Sequence, residues 1–161
     1  MIYDTKFKDA KLKEAMAAHN PDVLVVRSTK VNKEAISAAT NLKLIIRAGA
    51  GYDNIDFNFA ATKSIKVANC PGKNSSAVAE LAIGLMLAID RRIVENTTLL
   101  KSAKWNKAAY AKCKGLKDNT LGLIGLGFVG KNVARIANAM GMKVVAFDPS
   151  GKQLEGVELL K

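Results

Sequence analysis

The sequence predicts an α/β protein built on parallel sheets, and two observations carry that prediction. Short β-branched and apolar runs alternate with stretches of helical periodicity, the arrangement that lays helices over the faces of a parallel sheet. One apolar strand, Thr120 to Ile124, runs directly into a glycine-rich turn that opens an amphipathic helix, which is how a βαβ unit begins. No internal repeat or low-complexity segment interrupts the alternation.

Leu12, Ala15, Met16 and His19 share helical spacing, so a helix is predicted over Phe7 to His19, stopped by Asn20-Pro21. An apolar strand follows over Asp22 to Val26. Val31 to Ala39 reads as a helix, Leu42 to Ile46 as a second buried strand, and Asp56 to Thr62 as a short helix capped by Asp56. Ile65 to Ala68 reads as a third strand. Beyond Asn69-Cys70-Pro71-Gly72 the pattern changes to a long helix over Ser75 to Arg92, with Val78, Leu81, Leu85 and Ile89 on one side. The domain boundary is placed there, giving residues 1–70 and 71–161. A lysine-rich, irregular or helical stretch from Lys101 to Asp118 ends in a turn at Asp118-Asn119. Strand Thr120 to Ile124, helix Phe128 to Met140 and strand Lys143 to Phe147 then form the βαβ unit.

Composition narrows the function classes. At 161 residues, 49% hydrophobic and 24% charged, the chain matches a globular protein and excludes disordered and collagen-like classes. The net charge of +11 raises the question of a polyanion partner. Nearly all of it is scattered lysine, however, and the single Trp and three Tyr do not interleave with it as a stacking platform, so no nucleic-acid partner is expected. Cys70 and Cys113 lack metal-ligand or CxxC spacing, and one histidine cannot complete a Cys/His set, so no metal and no disulfide framework are expected. The longest strongly apolar run, Leu81 to Ile89, is too short to span a bilayer, and a cytoplasmic, membrane-free protein is expected.

Gly125-Leu126-Gly127-Phe128-Val129-Gly130 forms G-x-G-x-x-G after an apolar strand and before a helix whose Val129, Val133, Ile136, Ala137 and Met140 make one apolar face. Gly125 permits the tight turn, Gly127 lets backbone approach a pyrophosphate, and Gly130 lets helix and strand pack closely. The amides of Phe128 and Val129 are the donors aimed at phosphate oxygens. The alternative is a glycine-rich turn with no ligand. Asp148 ends the next strand, 18 residues after Gly130, where its carboxylate suits ribose hydroxyls and would repel a 2′-phosphate, which predicts NAD over NADP. Asp148 read as a turn former before Pro149 is the other possibility.

Arg47-Ala48-Gly49-Ala50-Gly51-Tyr52-Asp53-Asn54-Ile55-Asp56 follows a buried strand, and its glycines free backbone N–H groups to converge on an anion, unless it is a plain strand-to-helix connection. This segment, then Asn69-Cys70-Pro71-Gly72-Lys73-Asn74-Ser75, Val78-Ala79-Glu80-Leu81, Lys104-Trp105 and Gly122 to Gly127 in that order, resemble the D-isomer-specific 2-hydroxyacid dehydrogenases. Within the family the likeness is nearest to members that oxidise 3-phosphoglycerate, and it covers essentially the whole chain.

The resemblance implies a partial flavodoxin-like substrate domain followed by the first βαβ part of a Rossmann NAD-binding domain. It also implies hydride transfer between nicotinamide and C2 of a 2-hydroxy acid. Carried over by match, Ala48 and Gly49 hold the substrate carboxylate, Ala50 sits near the nicotinamide, Arg27 and Ser28 meet a substrate phosphate, and Asn74 is a polar substrate contact. An always-charged guanidinium suits a phosphorylated anion, although Arg27 could equally be an ordinary exposed arginine. Full-length relatives are expected to be homodimers or homotetramers.

The family's catalytic arginine, glutamate and histidine have no counterpart among these residues, so no catalytic residue is assigned and the chain alone is expected to be inactive. His19 lies in the last turn of the first predicted helix, and Glu80 matches a hinge position that is wrong for a histidine partner. Met1 to Asp4 resembles the family's second strand, so both domains are expected to be partial. Another D-2-hydroxy acid, glycerate or lactate, and a non-catalytic NAD-sensing or corepressor-like module are the alternative functions.

Overall fold

The computed structural model describes Ile2, Phe7, Lys8 and residues 10–160, and the chain divides into two compact units, Met1–Asn74 and Ser75–Lys161. In the first, β1 (Val23–Val26), β2 (Leu44–Arg47) and β3 (Lys66–Ala68) form a parallel sheet in the order β1-β2-β3, with Val26 opposite Arg47 and Ile46 opposite Ala68. Helices α1 (Ala10–His19), α2 (Lys33–Ser37) and α3 (Phe57–Thr62) accompany it. Leu12, Met16, Val31, Ile36, Ile45 and Ala60 make the centre of its core, each at most 3% exposed.

The elements are shorter than the periodicity predicts, for local reasons. Phe7 and Lys8 lie outside α1, which starts at Ala10; the predicted strand-like Met1 to Asp4 falls mostly outside the described residues. The predicted helix over Val31 to Ala39 contracts to α2 because Asn32 caps it, accepting from Ala35 N at 3.0 Å, while Val31 bridges in parallel to Ile55. Asp56 caps α3 as expected, accepting from Phe59 N at 3.0 Å. Ile65 is buried, but its N–H bonds Ala60 O at the end of α3, so β3 begins one residue later than predicted. Residues 71–74 go with the first unit, in which Asn69 and Cys70 bond back to Ala50 O and Gly49 O.

The second unit contains α4 (Ser75–Asp90), α5 (Ile93–Lys101), α6 (Lys107–Tyr110), β4 (Thr120–Ile124), α7 (Phe128–Ala139), β5 (Lys143–Phe147) and β6 (Val157–Leu159). Its three strands are parallel in the order β4-β5-β6. The strands β4 and β5 have the predicted limits, and Met140 is the cap of α7 rather than its last residue. The predicted helix to Arg92 ends at Asp90. Arg92 takes a left-handed conformation (φ 50°) between α4 and α5, its guanidinium paired with Glu95, bonded to Ala109 O and 4.3 Å from the Tyr110 ring centre.

Packing of α4 corrects the reading of its apolar side. Val78, Leu81, Leu85 and Ile89 are exposed, Ile89 by 77%, while Ala79 and Ile83 are buried in the same cluster as Val133, Ala134 and Ala137 of α7. Small side chains at Ala79, Ala134 and Ala137 let two helix backbones approach closely, so the small-residue side wins over the bulkier one. Among the described residues no helix is long and apolar enough to cross a membrane, and no group of acidic, histidine and cysteine side chains is placed to hold a metal ion.

Candidate dinucleotide and anion sites

The glycine turn sits at the C-terminal end of β4. Gly125 has φ +93°, the left-handed geometry that only glycine adopts without strain, and its N–H bonds Phe147 O at 2.8 Å, joining the turn to the end of β5. A Cβ on Gly130 would run into Gly125 O, so this glycine is what lets α7 start against the turn. A Cβ on Gly127 would meet nothing within 4 Å, which leaves open space over the turn. The first helical hydrogen bond of this end runs from Lys131 N to Gly127 O. The amides of Phe128, Val129 and Gly130 therefore have no partner among the described residues, and they lie at the positive end of a 12-residue helix.

Asp148 closes the same turn from the other side. Its Oδ1 accepts from Ser150 Oγ and from Ser150 N (2.9 Å), and its Oδ2 accepts from Leu126 N at 2.6 Å. The Ser150 hydroxyl first, then the Leu126 and Ser150 amides, hold its carboxyl at about 2, below the ordinary 3.8. The carboxylate thus shapes its own turn and fixes the glycine loop at the same time. Of the two readings the sequence left open, the turn-forming one is what these bonds show. These residues fit a dinucleotide on three counts: orphan amides at a helix start, an uncrowded Gly127, and a carboxylate at the strand end that is ionised at neutral pH.

In the first unit the candidate anion-binding residues gather at the C-terminal edge of the sheet. Ala48 N bonds Val26 O at 2.7 Å, which sets the loop after β2 beside the Arg27-Ser28 segment after β1. Asn69 Nδ2 donates to Ala50 O at 2.6 Å and Cys70 N to Gly49 O at 2.9 Å, tying the loop after β3 to the loop after β2, where Gly49 N itself donates to Arg47 O at 2.8 Å. Arg27, Ser28 and Ala48 are exposed, Gly49 and Ala50 half-buried. Asn74, predicted as a substrate contact, is exposed at the last position of this unit.

Comparison with known proteins decides the family. Residues 2–151 match the D-isomer specific 2-hydroxyacid dehydrogenase catalytic domain. The chain belongs to that family. It is 55% identical over 130 residues to a hydroxypyruvate reductase of Thermotoga maritima, covering 80% of this chain and 42% of that protein. It is 47% identical over 131 residues to a D-3-phosphoglycerate dehydrogenase of Methanocaldococcus jannaschii, covering 80% and 24%. Among solved structures, a Staphylococcus aureus formate dehydrogenase in complex with NAD shares 27% identity and a TM-score of 0.83, over 95% of this chain and 48% of that one. An acyclic imino acid reductase in complex with NADPH shares 32% and 0.82, over 92% and 49%. The chain thus spans about half the length of these relatives or less, and they bind NAD in one case and NADPH in the other.

Two side chains of the first unit stand out that their residue types alone did not single out. Arg47 folds its guanidinium over Gly49, where any Cβ would collide with it, and its Nε is buried with no hydrogen-bond partner. No carboxylate pairs with it among the described residues. An arginine with no ion-pair partner among the described residues, folded over this candidate loop, adds to the positive field there. Its place as the last residue of an apolar strand was the signal available in the sequence. The second is Asn54, whose Nδ2 donates to Thr29 O at 2.7 Å. His19 is exposed in the last turn of α1, its ring centre 6.5 Å from that of Phe7, and touches neither constellation.

Proposed function

We propose that the chain carries the substrate-anion and dinucleotide determinants of an NAD-dependent dehydrogenase acting on the C2 CH–OH group of 3-phosphoglycerate. Residues of the first unit take the substrate, and the second unit, Ser75–Lys161, belongs to the nucleotide domain. The observation that supports this most is the pairing of Ala48 N with Val26 O, which sets the loop after β2 and its arginine, Arg47, beside a second arginine and a serine. One anion-binding edge with two cationic centres suits a ligand carrying a carboxylate and a phosphate. The segment at Ala48 and Gly49 takes the carboxylate end and Arg27 and Ser28 the phosphate. The N–H groups of Ala48 and Gly49 already donate to Val26 O (2.7 Å) and Arg47 O (2.8 Å), so the charge that meets the carboxylate is the Arg47 guanidinium folded over Gly49 and not those two amides. Asn74 is assigned as a further polar substrate contact and Ala50 as a cofactor contact, both by the family resemblance.

Gly125, Gly127, Phe128, Val129 and Gly130 would cradle the pyrophosphate of NAD, and Asp148 would take the ribose hydroxyls. Bound there, NAD supplies a hydride acceptor at nicotinamide C4 for the C2 hydrogen. An unphosphorylated three-carbon substrate, hydroxypyruvate or its reduced form glycerate, is the second reading, favoured by the 55% identity to a hydroxypyruvate reductase.

Arg27→Ala separates the two. If the substrate is phosphorylated, this variant of the 161-residue chain loses about tenfold or more in affinity for 3-phosphoglycerate, the scale of one charge-assisted hydrogen bond, and little for D-glycerate. Equal, unchanged affinities for both ligands would favour the unphosphorylated substrate.

A further inference from the structure

We infer that Asn54 is a positioning residue that fixes the distance between the phosphate-binding and carboxylate-binding parts of the substrate site. The inference rests on the phosphorylated-substrate reading above. Its basis is how the Arg27-Ser28 segment is held. At its start, Val26 O accepts from Ala48 N at 2.7 Å. At its end, Thr29 O accepts from Asn54 Nδ2 at 2.7 Å. Both clamps come from one loop, residues 48–54, the same loop that contains Gly49, over which the Arg47 guanidinium folds at the end assigned to the carboxylate. The two residues between the clamps are the exposed pair assigned to phosphate.

Backbone bonds alone do not reach that far. Val31 N bonds Asn54 O at 2.8 Å, Asp56 N bonds Val31 O at 2.9 Å, and Val31 is fully buried, so the chain is already anchored at 31. The Asn54 side chain extends the anchor two residues upstream, to the edge of the phosphate-binding pair. It does so with its other end unsatisfied: Asn54 Oδ1 is buried without a partner. A buried orphan oxygen is destabilising, so stability of the loop by itself does not call for an amide here. What the amide achieves is a fixed offset between Arg27 and Gly49, and a ligand with two anionic ends binds best when that offset is set before it arrives.

The test is a binding comparison on the whole 161-residue chain by titration calorimetry, with 3-phosphoglycerate and D-glycerate as ligands. Asn54→Ala is expected to lower 3-phosphoglycerate affinity about tenfold while changing D-glycerate affinity less than about twofold, since only the two-ended ligand senses the offset. In an Asn54→Ala background, Arg27→Ala should cost less than it does alone, as expected of two residues acting through one segment. If Asn54→Ala fails to fold by circular dichroism, Asn54→Ser, too short to reach Thr29 O, carries the same comparison. Equal loss on both ligands, or full additivity with Arg27→Ala, overturns the positioning role. A wild-type chain with no preference for 3-phosphoglycerate overturns the phosphorylated-substrate reading itself, and the positioning role with it.

Discussion

The glycine turn of the second unit and the anion-binding edge of the first are built in opposite ways. The turn is local: six consecutive residues, Gly125 to Gly130, contain its positive φ, its close helix contact and its free amides, and the adjacent pair Phe147 and Asp148 holds it from the end of β5. The edge is assembled from three loops, after β1, β2 and β3, held by bonds such as Asn54 to Thr29 and Asn69 to Ala50 that span 25 and 19 residues. Local sites announce themselves as a motif. Assembled sites depend on side chains whose type says little until their partners are known.

The largest effect expected from breaking this contrast is at Gly130. Gly130→Ala puts a methyl group against a backbone carbonyl that cannot move aside, and the expected destabilisation is about 1–3 kcal/mol or more, read as a fall in melting temperature. Gly127→Ala is the matched control, with open space around its Cβ and φ −72°, so stability should hardly change while dinucleotide binding weakens. Equal thermal losses in the two variants would show that the turn is not held by the Gly130 contact.

This contrast also explains what was legible in the sequence. Both strand limits of the βαβ unit and the roles of Gly125 and Gly130 followed from adjacent residues, because steric constraints there act within one turn. The caps at Asn32 and Asp56 act over three residues; Asp56 was foreseen, while Asn32 was absorbed into a helix begun too early at Val31. The buried side of α4 was not legible, since the helix is apolar nearly all round and its partner α7 lies about fifty residues away. The strand β6 escaped notice because Val157-Glu158-Leu159 is three residues long with a charge at its centre. Arg47 and Asn54 were in view as part of a motif, but their roles depend on Gly49 and Thr29, which folding brings to them.

A smaller effect is expected at Asp148. Its depressed acidity means the interactions with Ser150 and Leu126 contribute fully above about pH 4 and are lost as pH falls through about 2. In an acid titration followed by NMR, the Asp148 carboxyl and the Leu126 amide should share a midpoint near 2, and a midpoint near 3.8 would remove the carboxylate from the turn. At neutral pH the same ionised group should favour NAD over NADP, and Asp148→Ala should narrow the difference. Equal binding of both cofactors by the unaltered chain would refute the ribose assignment.

The most direct test of the central claim, that the first unit presents one two-ended anion site, is a two-dimensional NMR titration of the 161-residue chain with 3-phosphoglycerate. The account predicts saturable shifts with a single dissociation constant at the Ser28, Ala48 and Gly49 amides and the Arg27 and Arg47 side chains. Shifts confined to scattered surface lysines, or different affinities for the Arg27 and Gly49 segments, would contradict it.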